Sequence, residues 1–187
     1  MKKVILLFAL IACINANAQN IDLTEAGAYE KKEVVVVDSA KAIILFERAM
    51  IALSDWTGPD GKAKVGIDYQ EKETGTVIYK GRYSLGFKNT FLGDGWNRYA
   101  EFSLKVRCKD GRAQVTVTVP TITAIYNRNG MSSTNSVALW LDAVKKAKGA
   151  KHERGVKLMN DLTETADGLV AAMCERIKNG GANDDDF

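Results

Sequence analysis

Apolar residues along this chain repeat with two periods, one helical and one extended, and stretches of each alternate. After a polar segment from Gln19 to Ala28, "KKEVVVVD" carries a β-branched run, Val34 to Val37, which predicts a first strand. Asp38 and Ser39 stand as N-cap residues before "AKAIILFERAMIALSDW". At helical spacing Ala42, Phe46, Ala49, Leu53 and Trp56 share one face, flanked by Leu45 and Met50. This predicts a core helix of about four turns. Ile44 and Ile51 fall on its far side, as scattered surface apolarity, under the tail segment or against a partner. "TGPDG" ends the helix.

A period of two follows. "KVGIDYQ" and "TVIYKGRYSLGF" flank "ETG". A three-residue loop at Glu73-Thr74-Gly75 pairs Tyr69 with Tyr79, Ile67 with Gly81 and Val65 with Tyr83. Asp68 and Gly66 then meet Lys80 and Arg82 on the polar side. In the second hairpin "YAEFSLKVRC" and "AQVTVTV" flank "KDGR", with Asp110-Gly111 as a two-residue turn. That closure pairs Val106 with Val115, Leu104 with Val117 and Phe102 with Val119 on an apolar face. It pairs Arg107 with Gln114, Lys105 with Thr116 and Ser103 with Thr118 on a polar one. Cys108 lies on the apolar face beside Ala113.

Between the hairpins "KNTFLGDGWNR" reads as a Gly-rich loop carrying Phe91 and Trp96. After Pro120 the strand pattern stops and "NRNGMSSTN" reads as loop. "SVALWLDAVKKAKG" predicts a short helix. A last helix has Leu158, Leu162, Ala166, Leu169, Met173 and Ile177 on one face. The basic segment 145–157 has no role assigned by pattern. Gly180 is a C-cap signal before an acidic tail.

The order strand, helix, four antiparallel strands, helix predicts a two-layer α+β fold, β-α-β4-α, with the helices on one face of an antiparallel sheet. This layout resembles the fold named after the TATA-box-binding protein. Three stretches, "DSAKAIILFERAMIAL", "KETGTVIYKGRYSL" and "YAEFSLKVRCKDGRAQVTVTVPTIT", resemble an exported bacterial family catalogued as domain of unknown function 4468. The resemblance spans about residues 29–126. It implies the two-layer fold and export, and no activity.

The leader has the anatomy of an export signal. Lys2 and Lys3 precede a nine-residue apolar run, Val4 to Ala12, too short to span a bilayer. Ala16-Asn17-Ala18 offers a leader-peptidase site before Gln19, giving a periplasmic or secreted protein. Leu10-Ile11-Ala12-Cys13 satisfies the lipobox pattern, giving a lipoprotein anchored at Cys13 and in contact with the membrane. The later cut fits better, because the lipobox leaves a very short leader. The expected organisation is 1–18 signal peptide, 19–28 flexible segment, 29–126 TBP-like domain, 127–180 loop and helices packed on that domain, and 181–187 acidic tail. Losing two lysines leaves 24 basic against 23 acidic side chains, a net charge of +1 rather than +3. No global field then favours nucleic acid. Cys108 and Cys174 remain, and an oxidising compartment would permit them to pair.

Candidate chemistry is sparse. His152, the one histidine, reads as an exposed surface residue, and no Ser-His-Asp or Cys-His set can be built without it. No zinc-ligand spacing occurs, and no cofactor or metal is expected. Asp38-Ser39-Ala40 also matches an O-glycosylation sequon, against the plain N-cap reading. The expected function is an exported non-catalytic binding or structural module. The alternatives are a nucleic-acid or other polyanion binder using the open sheet face, and an uncharacterised envelope enzyme. The binding candidates are the polar-face residues Lys80, Arg82, Lys105, Arg107, Thr116 and Thr118. They suit an anionic or hydroxyl-rich partner such as a polysaccharide or an acidic patch on an envelope protein.

Overall fold

The computed structural model describes residues 21–54, 66–89 and 95–180. The leader with both processing signals, Trp56, "TGPDG", Val65, Phe91 and the acidic tail lie outside the described residues. Within them the chain forms β1 (Tyr29–Val36), α1 (Ala42–Ser54), β2 (Gly66–Glu71), β3 (Thr76–Asn89), β4 (Gly95–Lys109), β5 (Arg112–Tyr126), β6 (Ser132–Ser136), α2 (Val137–Lys146) and α3 (Ala150–Lys178). The sheet is antiparallel in the order β1-β5-β4-β3-β2, and β6 also pairs with β5. The fold is α+β, with the helices covering one face.

Alternation along the central strands explains the one-sided cover. Val77, Tyr79 and Tyr83 of β3, Leu104 and Val106 of β4, and Val115, Val117 and Val119 of β5 are buried against the helices. α1 meets them with Leu45, Phe46, Ala49 and Leu53, and α3 with Leu158, Leu162, Ala166, Met173 and Ile177. Both helical faces match the sequence periodicity. α3 is fixed to the sheet by polar contacts as well. The Tyr83 hydroxyl donates to the Leu162 carbonyl at 2.9 Å. The Tyr29 hydroxyl and Lys31 Nζ both reach the Asp167 carboxylate, at 2.6 and 3.3 Å. α1 and α3 also exchange caps: Arg48 donates to the carbonyl of Ile177, and Arg176 to that of Ala52. Each cation therefore meets the carbonyl-rich, partly negative end of the other helix.

Several expectations need correction. β1 begins at Tyr29, and its Val34 and Val36 are exposed, because it is an edge strand beside β5. Neither Asp38 nor Ser39 caps α1; Ser39 adopts φ 64° and the helix starts at Ala42. The capping carboxylate comes from the distant β4–β5 turn, where Asp110 Oδ1 accepts the Ala42 N–H at 2.8 Å. The N–H of Ala42, and after it Lys41, hold the Asp110 carboxyl below its ordinary range. "KDGR" is thus both a turn and a long-range cap.

The second hairpin keeps the predicted register from Cys108–Ala113 to Ser103–Thr118. A bulge then intervenes, and Phe102 lies opposite both Val119 and Pro120. β5 nevertheless continues through Pro120 to Tyr126. Its outer edge changes partner there, with β1 on Arg112–Val119 and β6 on Thr121–Ile125. Pro120 has no N–H to donate, so it suits the gap between the two partners. "MSSTN" therefore supplies much of a strand rather than only loop, and Trp96 lies in β4 opposite Tyr126.

The first hairpin departs further from expectation. Its loop is four residues, Lys72 to Gly75, closing Glu71 on Thr76. Thr74 Oγ1 donates to the Glu71 carboxylate at 2.6 Å, and Gly75 at φ 62° accepts the Cys108 N–H. Ile67 faces Tyr79 instead of Gly81, and Tyr69 faces Ile78 instead of Tyr79. The shift lies at Asp68, an extra residue that turns Tyr69 to the open face.

Candidate functional site

The polar face stands where the registers placed it, but it is a mixed surface. Lys80, Lys105 and Arg107 are exposed, and Arg82 and Thr118 half-buried. Thr116 is buried, only 9% exposed, because it lies mid-sheet between Lys105 and Lys32. Lys80 pairs with Asp68 at 3.0 Å. Arg82 lies over the Tyr99 ring at 4.8 Å and opposite Glu101. Thr118 Oγ1 donates to Glu30, which also pairs with Lys32. The face carries Tyr69 and Tyr99 as well, neither of which the sequence placed there. Lys105 and Arg107 are left as its solvated positive side, and an exposed charge acts weakly through water.

A more constructed site lies on the other side of the sheet. α2 follows β6 directly, started by Ser136, whose hydroxyl accepts the Leu139 N–H at 3.2 Å. The chain turns at Gly149 (φ 54°) into α3. The two helices approach closely at Gly155, where a Cβ would stand 2.5 Å from Val144 Cγ2. His152 is half-buried rather than a free surface group. Its Nδ1 lies 3.0 Å from the Val144 carbonyl. A carbonyl oxygen only accepts, so Nδ1 carries the proton and caps the end of α2.

Beneath this helix pair the end of the β3–β4 ladder is irregular. Between Ser84–Tyr99 and Phe87–Asn97 the register shifts, so Leu85 and Gly86 together oppose Arg98. Gly86 sits at φ 85°, a backbone region that favours glycine. The bulge and helices enclose a cleft of about 450 Å³. Leu85, Val144 and Leu158 give it apolar walls, and Trp140 a half-buried ring. Arg98, Lys151, Arg154 and Lys157 line it, with Asp161 as the one acid among the described residues.

Two donors in this cleft have no partner among the described residues. Arg98 Nε and Trp140 Nε1 are buried and make no hydrogen bond. The Arg98 guanidinium lies 5.7 Å from the centre of the Trp140 ring. Desolvation, and then the neighbouring charge of Arg154, lower the pKa of Arg98. Asp161 lies 3.8 Å from Lys157, another residue of the cleft lining, rather than with Arg98. Leaving a buried donor unpaired typically costs about 1–3 kcal/mol, so two such donors side by side call for an explanation. Sequence reading missed this site. Arg98 ends "KNTFLGDGWNR", whose glycines read as loop, and the pattern of the basic segment 145–157 names no partner for it.

Cys108 and Cys174 are separate buried thiols, and the pairing that an oxidising compartment would permit is not formed. Glu33 of β1 contributes to the Cys174 environment, while Cys108 lies on β4, with β5 between those strands. Burial pushes both thiols up to about 11. Among the described residues no group of three or more His, Cys, Asp or Glu is placed to hold a metal ion. No described helix is long and apolar enough to cross a membrane.

Comparison with known proteins agrees with this architecture. The chain is similar to a crystal structure of a DUF4468 family protein from Bacteroides ovatus, with TM-score 0.63 at 14% identity, covering 92% of this chain and 95% of that one. It is also similar to a TBP-like protein from Parabacteroides distasonis, with TM-score 0.59 at 12% identity, covering 86% and 98%. At such identities the likeness is one of fold. No curated protein matches the sequence. Residues 32–123 match the family described as domain of unknown function (DUF4468) with TBP-like fold. The domain built on those residues belongs to that family, and its fold is TBP-like.

Proposed function

We propose that this chain is an exported, non-catalytic ligand-binding module whose ligand sits in the cleft between β3–β4 and α2–α3. The observation that carries the reading is the meeting of two buried, unpartnered N–H donors, on Arg98 and Trp140, in one cleft. A strand bulge beside Arg98 supports it, since bulges recur where a side chain is re-aimed toward a functional site. Export rests on the leader, with cleavage after Ala18 and an amino-terminal Gln19. Intact mass of the native protein checks that step. A lipid-modified chain beginning at Cys13 would overturn it.

The cleft itself is tested with N-phenyl-1-naphthylamine and 8-anilinonaphthalene-1-sulfonate, two fluorescent probes sharing one apolar ring system. Ala143 is exposed and lines the cleft, so Ala143→Trp fills its mouth without disturbing the core. The expected result is saturable one-to-one binding of at least one probe, abolished in Ala143→Trp at unchanged Tm. No binding of either probe, or binding indifferent to Ala143→Trp, overturns the reading.

A further inference from the structure

Resting on the cleft as the ligand site, we infer that its ligand is an organic anion with an apolar body, its charged head on Arg98 and Trp140 Nε1 and its body along Leu85, Val144 and Leu158. The polar and the apolar lining of the cleft make different demands on a ligand, and both demands point the same way.

Among the cations of the lining, Arg98, Lys151 and Arg154 have no acidic partner among the described residues, and only Lys157 has Asp161 nearby. Elsewhere the protein supplies such partners: Lys31, Lys41, Lys72, Lys80 and Lys146 each lie within 3.4 Å of a carboxylate. A guanidinium whose buried Nε lacks a hydrogen bond, with no carboxylate paired to it among the described residues, is a costly arrangement, and an incoming anion offsets that cost. The lowered pKa of Arg98 comes from lost solvation and a like charge, the two effects that an anion would offset. Trp140 Nε1–H can only donate. Two donors with no acceptor between them select an acceptor-rich head, such as a carboxylate, sulfonate or phosphate.

Leu85, Val144 and Leu158 make the apolar walls aliphatic, and the Trp140 ring gives a flat surface. Gly86 contributes no side chain, so the bulge leaves space above Arg98. A volume of about 450 Å³ falls in the range of small-molecule sites and suits a compact organic acid.

The sulfonate probe and its neutral analogue separate this inference from the reading beneath it. Wild type is expected to bind the sulfonate at least about tenfold more tightly than the neutral amine, as a charge-assisted hydrogen bond would give. Raising NaCl from about 20 mM to about 500 mM should weaken the sulfonate alone, because only that probe's affinity depends on charges that salt screens. Arg98→Gln should erase the preference and leave the neutral probe unaffected, and Arg98→Lys should keep part of it. Trp140→Phe retains a ring and removes the N–H. It should weaken the sulfonate severalfold, and it serves if Arg98→Gln lowers Tm. Equal affinity for both probes, with binding still lost in Ala143→Trp, overturns the anion and keeps the module. Failure of both probes overturns the module itself.

Discussion

Two sets of four cations sit on opposite sides of one sheet. On the open face Lys80, Arg82, Lys105 and Arg107 are spaced by strand alternation. Each is offset by Asp68, a tyrosine ring or water. On the helix side Arg98, Lys151, Arg154 and Lys157 are gathered from β4 and α3 around an apolar cleft, with one acid among its described residues. The residue types are the same and most of both sets are exposed; the difference lies in Arg98, whose Nε is out of water and without a hydrogen bond. A charge in water acts weakly, whereas one held against Leu85, Leu158 and a tryptophan ring keeps most of its demand for a partner. Counting basic residues on a face therefore says less about binding than asking which of them lack a partner out of water.

The comparison can be broken in several ways, and the largest effect concerns the core between the two surfaces. If neither surface opens to it, Cys108 and Cys174 stay protonated near neutral pH. A thiol moved from its ordinary 9.0 to about 11 has about a hundredfold less thiolate. Iodoacetamide at about pH 8 should label them at least that much more slowly in the folded protein than in urea. Rapid labelling when folded would mean an open core, and no thiols after unfolding would mean a disulfide.

Glycines distinguish the two sides next. Gly155→Ala places a Cβ against Val144, and should cost about 1–3 kcal/mol in urea unfolding while narrowing the cleft. Val144→Ala in the same chain should recover part of that loss. Gly66 on the sheet edge has nothing within 4 Å of an added Cβ, and Gly66→Ala should stay within about 0.5 kcal/mol. Equal costs would remove the structural contrast between close-packed cleft and open edge.

A smaller effect tests the turn that joins the layers. Asp110→Ala removes the carboxylate cap on Ala42 and should lower Tm near neutral pH. The folded-state pKa of Asp110 is depressed, so its contribution is present above the ordinary carboxylate range and lost as pH falls through the lowered value. The Tm gap between wild type and Asp110→Ala should therefore close in acid. A gap independent of pH would mean that the side chain acts by packing instead.

The smallest expected effect is none. Replacing Arg82, Lys105 and Arg107 together with Ser should leave the affinity for 8-anilinonaphthalene-1-sulfonate unchanged, in contrast to Arg98→Gln. A loss comparable to that of Arg98→Gln would move the site to the open face. Loss of a salt-sensitive envelope partner in a pull-down, with probe binding intact, would give that face a separate role.

Much of this fold was legible from local pattern. The buried faces of α1 and α3 follow a 3.6-residue period, and the Val106–Val115 register follows from a two-residue turn. Patterns of this kind are short-range, since each residue's face depends on its near neighbours and on backbone geometry. Tyr69 shows where that fails: a single inserted residue, Asp68, reverses every side chain beyond it, and no local signal marked it.

By itself, then, the sequence determined the two layers, the apolar faces and the central hairpin. Only the tertiary structure decided that Asp110 caps a helix 68 residues away, that β5 passes from β1 to β6 at Pro120, and that Arg98 meets Trp140 beneath Arg154. Periodicity is written into adjacent residues. A binding cleft depends on which distant side chains packing brings together and which partners it denies them, and that is settled only when the layers close.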